Sequence, residues 1–153
     1  MSEPNYAGNI IVVLANLPDF LRTPILKKRI IEYFSMPDQE KKQLINNALE
    51  AGPTIPFPNF SKLFKTWLEI LTTLSEEQRL GIFSAYISEI SNNPQKIISF
   101  NLDGILEIFL SLDQEKQEII SQSVKKIIEK LEDGPKRKLL IVIPDNAQQK
   151  LKI

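Results

Sequence analysis

Apolar residues recur along this chain at intervals of three and four, the spacing that gathers them on one face of a helix. In residues 114–132 that face holds Ile120, Val124, Ile127, Ile128 and Leu131. Gln117, Gln122, Lys125, Lys126, Glu129 and Lys130 fill the rest, so this helix packs on one side only. The stretch 60–73 is richer. Phe60, Leu63, Phe64, Trp67, Leu68, Ile70 and Leu71 cover more than half its circumference, which suits the middle of a core, with the rings as packing elements. The pattern predicts helices over 8–16, 20–35, 37–51, 60–73, 76–91, 100–111, 114–132, 135–142 and 145–151. The β-branched runs Ile10-Ile11-Val12-Val13 and Leu140-Ile141-Val142-Ile143 also suit a two-stranded ribbon joining the termini. Both runs precede a Pro-Asp turn, as a helix in this chain would, and helix is the expectation for each.

Three helix starts align. Ser35-Met36-Pro37-Asp38, Thr73-Leu74-Ser75-Glu76 and Ser111-Leu112-Asp113-Gln114 carry the apolar anchors Met36, Leu74 and Leu112, which stand 38 residues apart in both intervals. Three residues before the anchors stand Tyr33, Leu71 and Phe109; eight after them stand Leu44, Ile82 and Ile120. Each unit thus reads as helix, tight turn, helix. Ser75 with Gln78 forms a capping box, Asp113 can cap alone, and Pro37 suits a first helical position. Breakers mark the connectors at Gly52-Pro53 with Pro56 and Pro58, at Asn92-Asn93-Pro94, and at Asp133-Gly134-Pro135. Echoes of the turn at Leu17-Pro18-Asp19 and Ile143-Pro144-Asp145 suggest partial hairpins that cover the two ends of a stack. The fold expected is all-α: tandem antiparallel helical hairpins with a period of 38 residues, as an open stack or a compact multi-helix bundle. The chain reads as one domain over 1–153, with a partial hairpin at 8–35, units at 21–52, 59–91 and 98–132, and a terminal cap at 135–151. Gly81 and Gly104 fall inside predicted helices, where glycine costs about 1 kcal/mol relative to alanine; close approach between helices accounts for them.

The hairpin period and the Leu74-Ser75-Glu76-Glu77 type of turn resemble α-helical repeat modules of the HEAT class. More loosely they are similar to the superhelical modules of flagellar-motor and magnesium-transporter cytosolic domains. The resemblance spans residues 20–132, and implies stacked hairpins that bind proteins on a concave face.

Composition then removes most chemistry. No cysteine is present, which excludes disulfides, thiolate nucleophiles and thiolate metal sites, and no histidine, which excludes the commonest general base and zinc ligand. No glycine-rich phosphate cradle occurs. The carboxylate pairs Asp103 with Glu107, Glu115 with Glu118, and Glu129 with Glu132 or Asp133 lie on polar helix faces, as solvated charges do. No catalytic residue, metal site or cofactor is therefore assigned. The 19 basic and 19 acidic side chains cancel, and the one local excess, Lys136, Arg137, Lys138, Lys150 and Lys152 against Asp145, reads as a solvated tail. The acidic start Met1-Ser2-Glu3-Pro4 is unlike an export signal, and no apolar run approaches the ~20 residues of a membrane span; a cytoplasmic setting is expected. Abundant Asn and Gln point to a mesophilic source.

Two features remain as candidate binding sites. The proline-stiffened segment Pro53-Thr54-Ile55-Pro56-Phe57-Pro58 either packs across helix ends or offers Ile55 and Phe57 outward as an apolar handle, with Phe57 the anchor. The cations Lys27, Lys28, Arg29, Lys41 and Lys42 would serve nucleic acid if they converged, although Glu32, Asp38 and Glu40 sit within a turn of them. The leading expectation is a non-enzymatic protein–protein interaction or scaffold module. Its alternatives are a nucleic-acid-associated helical module using those five cations and a carboxylate-dependent enzyme. The interaction reading requires an exposed apolar patch on the surface.

Overall fold

Among the residues described by the computed structural model, 6–153, the chain forms ten helices and no strand. They are α1 (Tyr6–Ala15), α2 (Asp19–Tyr33), α3 (Asp38–Ala51), α4 (Phe57–Thr73), α5 (Glu76–Asn92), α6 (Gln95–Ile98), α7 (Leu102–Leu110), α8 (Gln114–Glu129), α9 (Asp133–Val142) and α10 (Asp145–Leu151). A 3-10 turn, Gly52–Thr54, follows α3. Runs 10–14 and 139–142 are helical, and no ribbon joins them. Leu14, Ala15 and Leu139 are buried, so burial of a helical stripe overrides the β preference of their neighbours.

The helices pack in two rows. One runs α2, α4, α7, and the other α1, α3, α5, α8; α4 also touches α1 and α8, tying the rows together, while α9 lies on α5 and α10 on α8. Helices of successive hairpins therefore stack like on like, as the expected all-α hairpin architecture requires. The third hairpin is smaller: α7 has 9 residues where α4 has 17, and the short α6 occupies the connector before it. One continuous core runs from Leu14 to Leu139. Its centre is α4, whose Phe60, Leu63, Leu68, Ile70 and Leu71 are buried. Along α4 the rings form a spine. Phe57, Phe60, Phe64 and Trp67 follow one another at centroid distances of 6.1, 5.5 and 5.6 Å, and Phe83, Tyr86 and Phe100 close on it at 5.8, 5.4 and 5.6 Å.

Every helix that ends inside such a stack leaves carbonyls without an in-helix donor. At four of the five turns a long side chain five residues beyond the apolar anchor supplies the donor. Arg22 donates to the Leu17 carbonyl at 2.5 Å, and Arg79 to the Leu74 and Leu71 carbonyls at 3.0 and 3.3 Å. Gln117 donates to Leu112 and Leu110 at 2.8 and 3.1 Å, and Gln148 to Ile143 and Leu140 at 3.0 and 2.9 Å. Both arginines also reach a neighbouring helix of their own row. Arg22 Nε donates to Thr66 Oγ1 at 3.2 Å, and Arg79 Nε to Ser123 Oγ at 2.8 Å. Arg22 is 1% exposed and Arg79 9%, which their polar partners make affordable. At the fifth turn, after Met36, Lys41 instead places its ammonium 5.3 Å from the Tyr33 ring centroid.

Element boundaries shift where proline enters a first turn. Pro56 precedes α4, and its carbonyl accepts from the Asn59 and Phe60 amides, so α4 begins at Phe57 rather than at 60. Pro58 falls where a helix has no use for its amide hydrogen. The Asp133-Gly134-Pro135 breaker likewise forms the first turn of α9. The glycines divide. A Cβ on Gly104 would fall on the Phe57 ring and 2.8 Å from Asn101 Nδ2, a close approach as expected. A Cβ on Gly81 would meet nothing within 4 Å, so the close-approach account fails there.

Replacing Arg79 with Met strips donors from two backbone carbonyls and Ser123. It is expected to cost about 2–3 kcal/mol in urea unfolding, against less than about 1 kcal/mol for Lys41→Met. Gly81→Ala is expected to raise stability by about 1 kcal/mol, and Gly104→Ala to lower it by about 1–3 kcal/mol, in the same assay. Equal effects of the two alanines would mean that the Phe57 ring moves aside without cost.

Candidate functional site

Helix α2 carries apolar residues on two faces. Arg22, Leu26, Ile30 and Tyr33, spaced at four, four and three, form the buried stripe that faces α4 and α1. Phe20, Leu21, Ile25 and Ile31 lie elsewhere on its circumference and are exposed, Phe20 by 75%. The reason is position in the stack: α2 ends its row, and no helix among the described residues lies beyond it. Of nine exposed large apolar side chains among the described residues, six (Val12, Val13, Phe20, Leu21, Ile25 and Ile31) are on α1 and α2, so their apolar exposure concentrates at one end of the molecule. Between these helices runs an open groove of about 320 Å³, lined by Ile10, Val13, Leu14, Leu17 and Ile25, with Asn9 and Arg29 the polar groups along it. The N-terminal hairpin expected to cover the stack's end thus leaves an apolar face bare.

The proline segment is placed differently from an outward handle. Ile55 is 6% exposed and belongs to the core, and its amide donates to the Gly52 carbonyl at 3.2 Å. Phe57 is half-buried against Phe60 and Gly104. The segment packs across helix ends, because Ile55 and Phe57 find apolar neighbours there that solvent would deny them.

The five cations do not share a face. Lys27, Lys28 and Arg29 are consecutive on α2 and project about 100° apart. Arg29 pairs with Glu32 at 3.4 Å and Lys42 with Glu89 at 3.9 Å, while Lys41 sits over Tyr33. The carboxylates Asp103, Glu107, Glu115, Glu118, Glu129, Glu132 and Asp133 are all exposed, and no acid is among the buried charged residues described. No cluster of three potential metal ligands occurs among the described residues, and none of their helices is long and apolar enough to cross a membrane. A second groove, about 600 Å³ between α5 and α8, mixes Glu76, Glu77 and Glu129 with Lys126 and Lys130. There the hydrogen bond and charge of Lys126 hold the Glu76 carboxyl below its ordinary range. Internal ion pairing already answers this groove's charge.

No protein-family model matches the chain, and neither does any curated protein or solved structure. The surface itself is therefore what points to function. Its signal was available in the sequence as the second apolar stripe on residues 20, 24 and 31, which a single-face reading of α2 passes over.

Burial raises the Tyr33 phenol above its ordinary value, with Asp38 adding to the effect, and burial raises that of Tyr86 further. Both groups are neutral in the fold at a pH where an unfolded chain would ionise them. Their stabilisation is therefore complete below pH ~10 and is lost as the pH rises beyond it. With no histidine to titrate, the urea midpoint is expected to stay nearly flat from about pH 6 to 9 and to fall above about 10. A drop between pH 6 and 8 would contradict this assignment.

Proposed function

We propose that the chain is a non-enzymatic protein–protein interaction or scaffold module, with the outer face of α2 and the α1–α2 groove as its contact surface. The observation that carries this reading is a solvent-exposed phenylalanine, Phe20, set among Leu21, Ile25 and Ile31 on one helix at the open end of a stack. Apolar area held in water at this concentration is a standing cost to a monomer, and association removes it. Phe20 replaces Phe57 as the anchor, since Phe57 already spends its ring on Phe60 and Gly104. The likeness of the hairpins to HEAT-class modules supports the same reading at the level of architecture.

The test is affinity capture by the purified chain, from lysate of its own source, beside Phe20→Glu and Phe57→Asp variants and across a salt series. A protein retained at high salt and lost, by at least about 30-fold in affinity, only with Phe20→Glu is the expected result. Recovery of nucleic acid alone, falling steeply with salt, would give the function to the five-cation alternative instead.

A further inference from the structure

Arg22 and Arg79 each close a turn and also bond a hydroxyl 44 residues further on, Thr66 and Ser123. Lys41 holds the same place after the Met36 turn, and the same step of 44 leads from it to Ala85 on α5, which packs on α3. Neither half of the clamp is present there. The ammonium lies over the Tyr33 ring, and alanine has no hydroxyl to accept a hydrogen bond. Among the described residues no side chain donates to the Met36 carbonyl, whose counterparts at Leu17, Leu74, Leu112 and Ile143 all accept one. This unclamped turn is also the one that joins α1 and α2 to everything after them, and α1 and α2 each end a row of the stack. Across Met36 the polar side-chain links among the described residues are Arg22 Nε to Thr66, Asn59 Nδ2 to Asn16 Oδ1 at 2.5 Å, and the Lys41–Tyr33 contact. No ion pair among them crosses it.

We infer that α1 and α2 form a hinged cap, which opens as one unit about Met36–Pro37 while α3–α10 stay folded. Arg22 keeps the cap together as it moves, since its bonds to the Leu17 carbonyl and Asp19 lie within it. Opening is a minor, reversible excursion, because it uncovers Leu14, Ala15, Leu26 and Ile30 and breaks the bond to Thr66. At the Leu74 turn the same motion would break all three bonds of Arg79, so the stack parts first at Met36. In the open form α3 and α4 become the ends of their rows. The hinge is independent of what the outer face of α2 binds.

Native-state hydrogen exchange of the full chain, resolved by residue and followed through sub-denaturing urea, tests the hinge. Amides of α1 and α2 are expected to merge on one common opening, at least about a hundredfold more populated than the opening of α4 and α5. Lys41→Arg combined with Ala85→Ser supplies both halves of the missing clamp, and is expected to slow exchange in α1 and α2 by roughly three- to tenfold. Ser123→Ala removes a bond that the opening leaves intact. It is expected to speed exchange in α5 and α8 by roughly three- to tenfold and to leave α1 and α2 unchanged. Exchange of α1 and α2 only together with α4 and α5 overturns the proposal, and so do separate openings of α1 and α2. A clamp variant that slows α4 and α5 but not α1 and α2 overturns the placing of the hinge at Met36.

Discussion

A helix that ends against other helices leaves carbonyl groups which water can no longer reach, and a stack of hairpins multiplies that problem at each turn. This chain solves it with a side chain five residues past the turn, reaching back to the carbonyls of the helix just completed. Arg22, Arg79, Gln117 and Gln148 all do this. The two arginines then use Nε to hold Thr66 and Ser123 on the next helix of the same row. A single guanidinium thus closes a turn and fixes the spacing of two stacked helices. A lysine has one donor centre where arginine presents a planar fork, and could not serve both ends.

With the turns closed, the apolar stripes decide the rest. Helix α4 touches α1, α2, α7 and α8, and its ring spine fills the space between the rows. Gly104 is glycine because the Phe57 ring lies where a Cβ would be, and Gly52 because Phe100 carbons lie 2.6 and 2.7 Å from the same point. These two contacts bring the connectors down onto the helix ends. The proline segment is consequently part of the core's edge, and Ile55 adds to the fold what it would otherwise offer a partner.

The proposed contact surface follows from what the stack leaves unfinished. A row of helices buries both flanks of its inner members but only one flank of the last. At α2 the second flank is apolar, where a terminal helix made only to be a boundary would be polar. Neither the cations nor the carboxylates gather into a site. Lys27, Lys28 and Arg29 splay because neighbours on a helix point apart, and Lys42 and Arg29 are each met by an acid. What stands out on the described surface is exposed apolar area at the α1–α2 end.

By itself the sequence determined what local spacing determines. Helical periodicity, the turn anchors, the Ser75–Gln78 capping box and the central place of residues 60–73 were all legible, because each depends on residues within a few positions of one another. The start of α4 at Phe57 and the short α6 were not, since proline is equally at home before a helix and within its first turn. Tertiary structure alone decided which of α2's two apolar stripes is covered, that Ile55 turns inward, that Gly81 stands in the open, and that Arg22 and Arg79 are buried. Each of these depends on which distant helix comes to lie alongside. Arg22 and Thr66 are 44 residues apart, as are Arg79 and Ser123, and no periodicity within one helix carries information about such a neighbour.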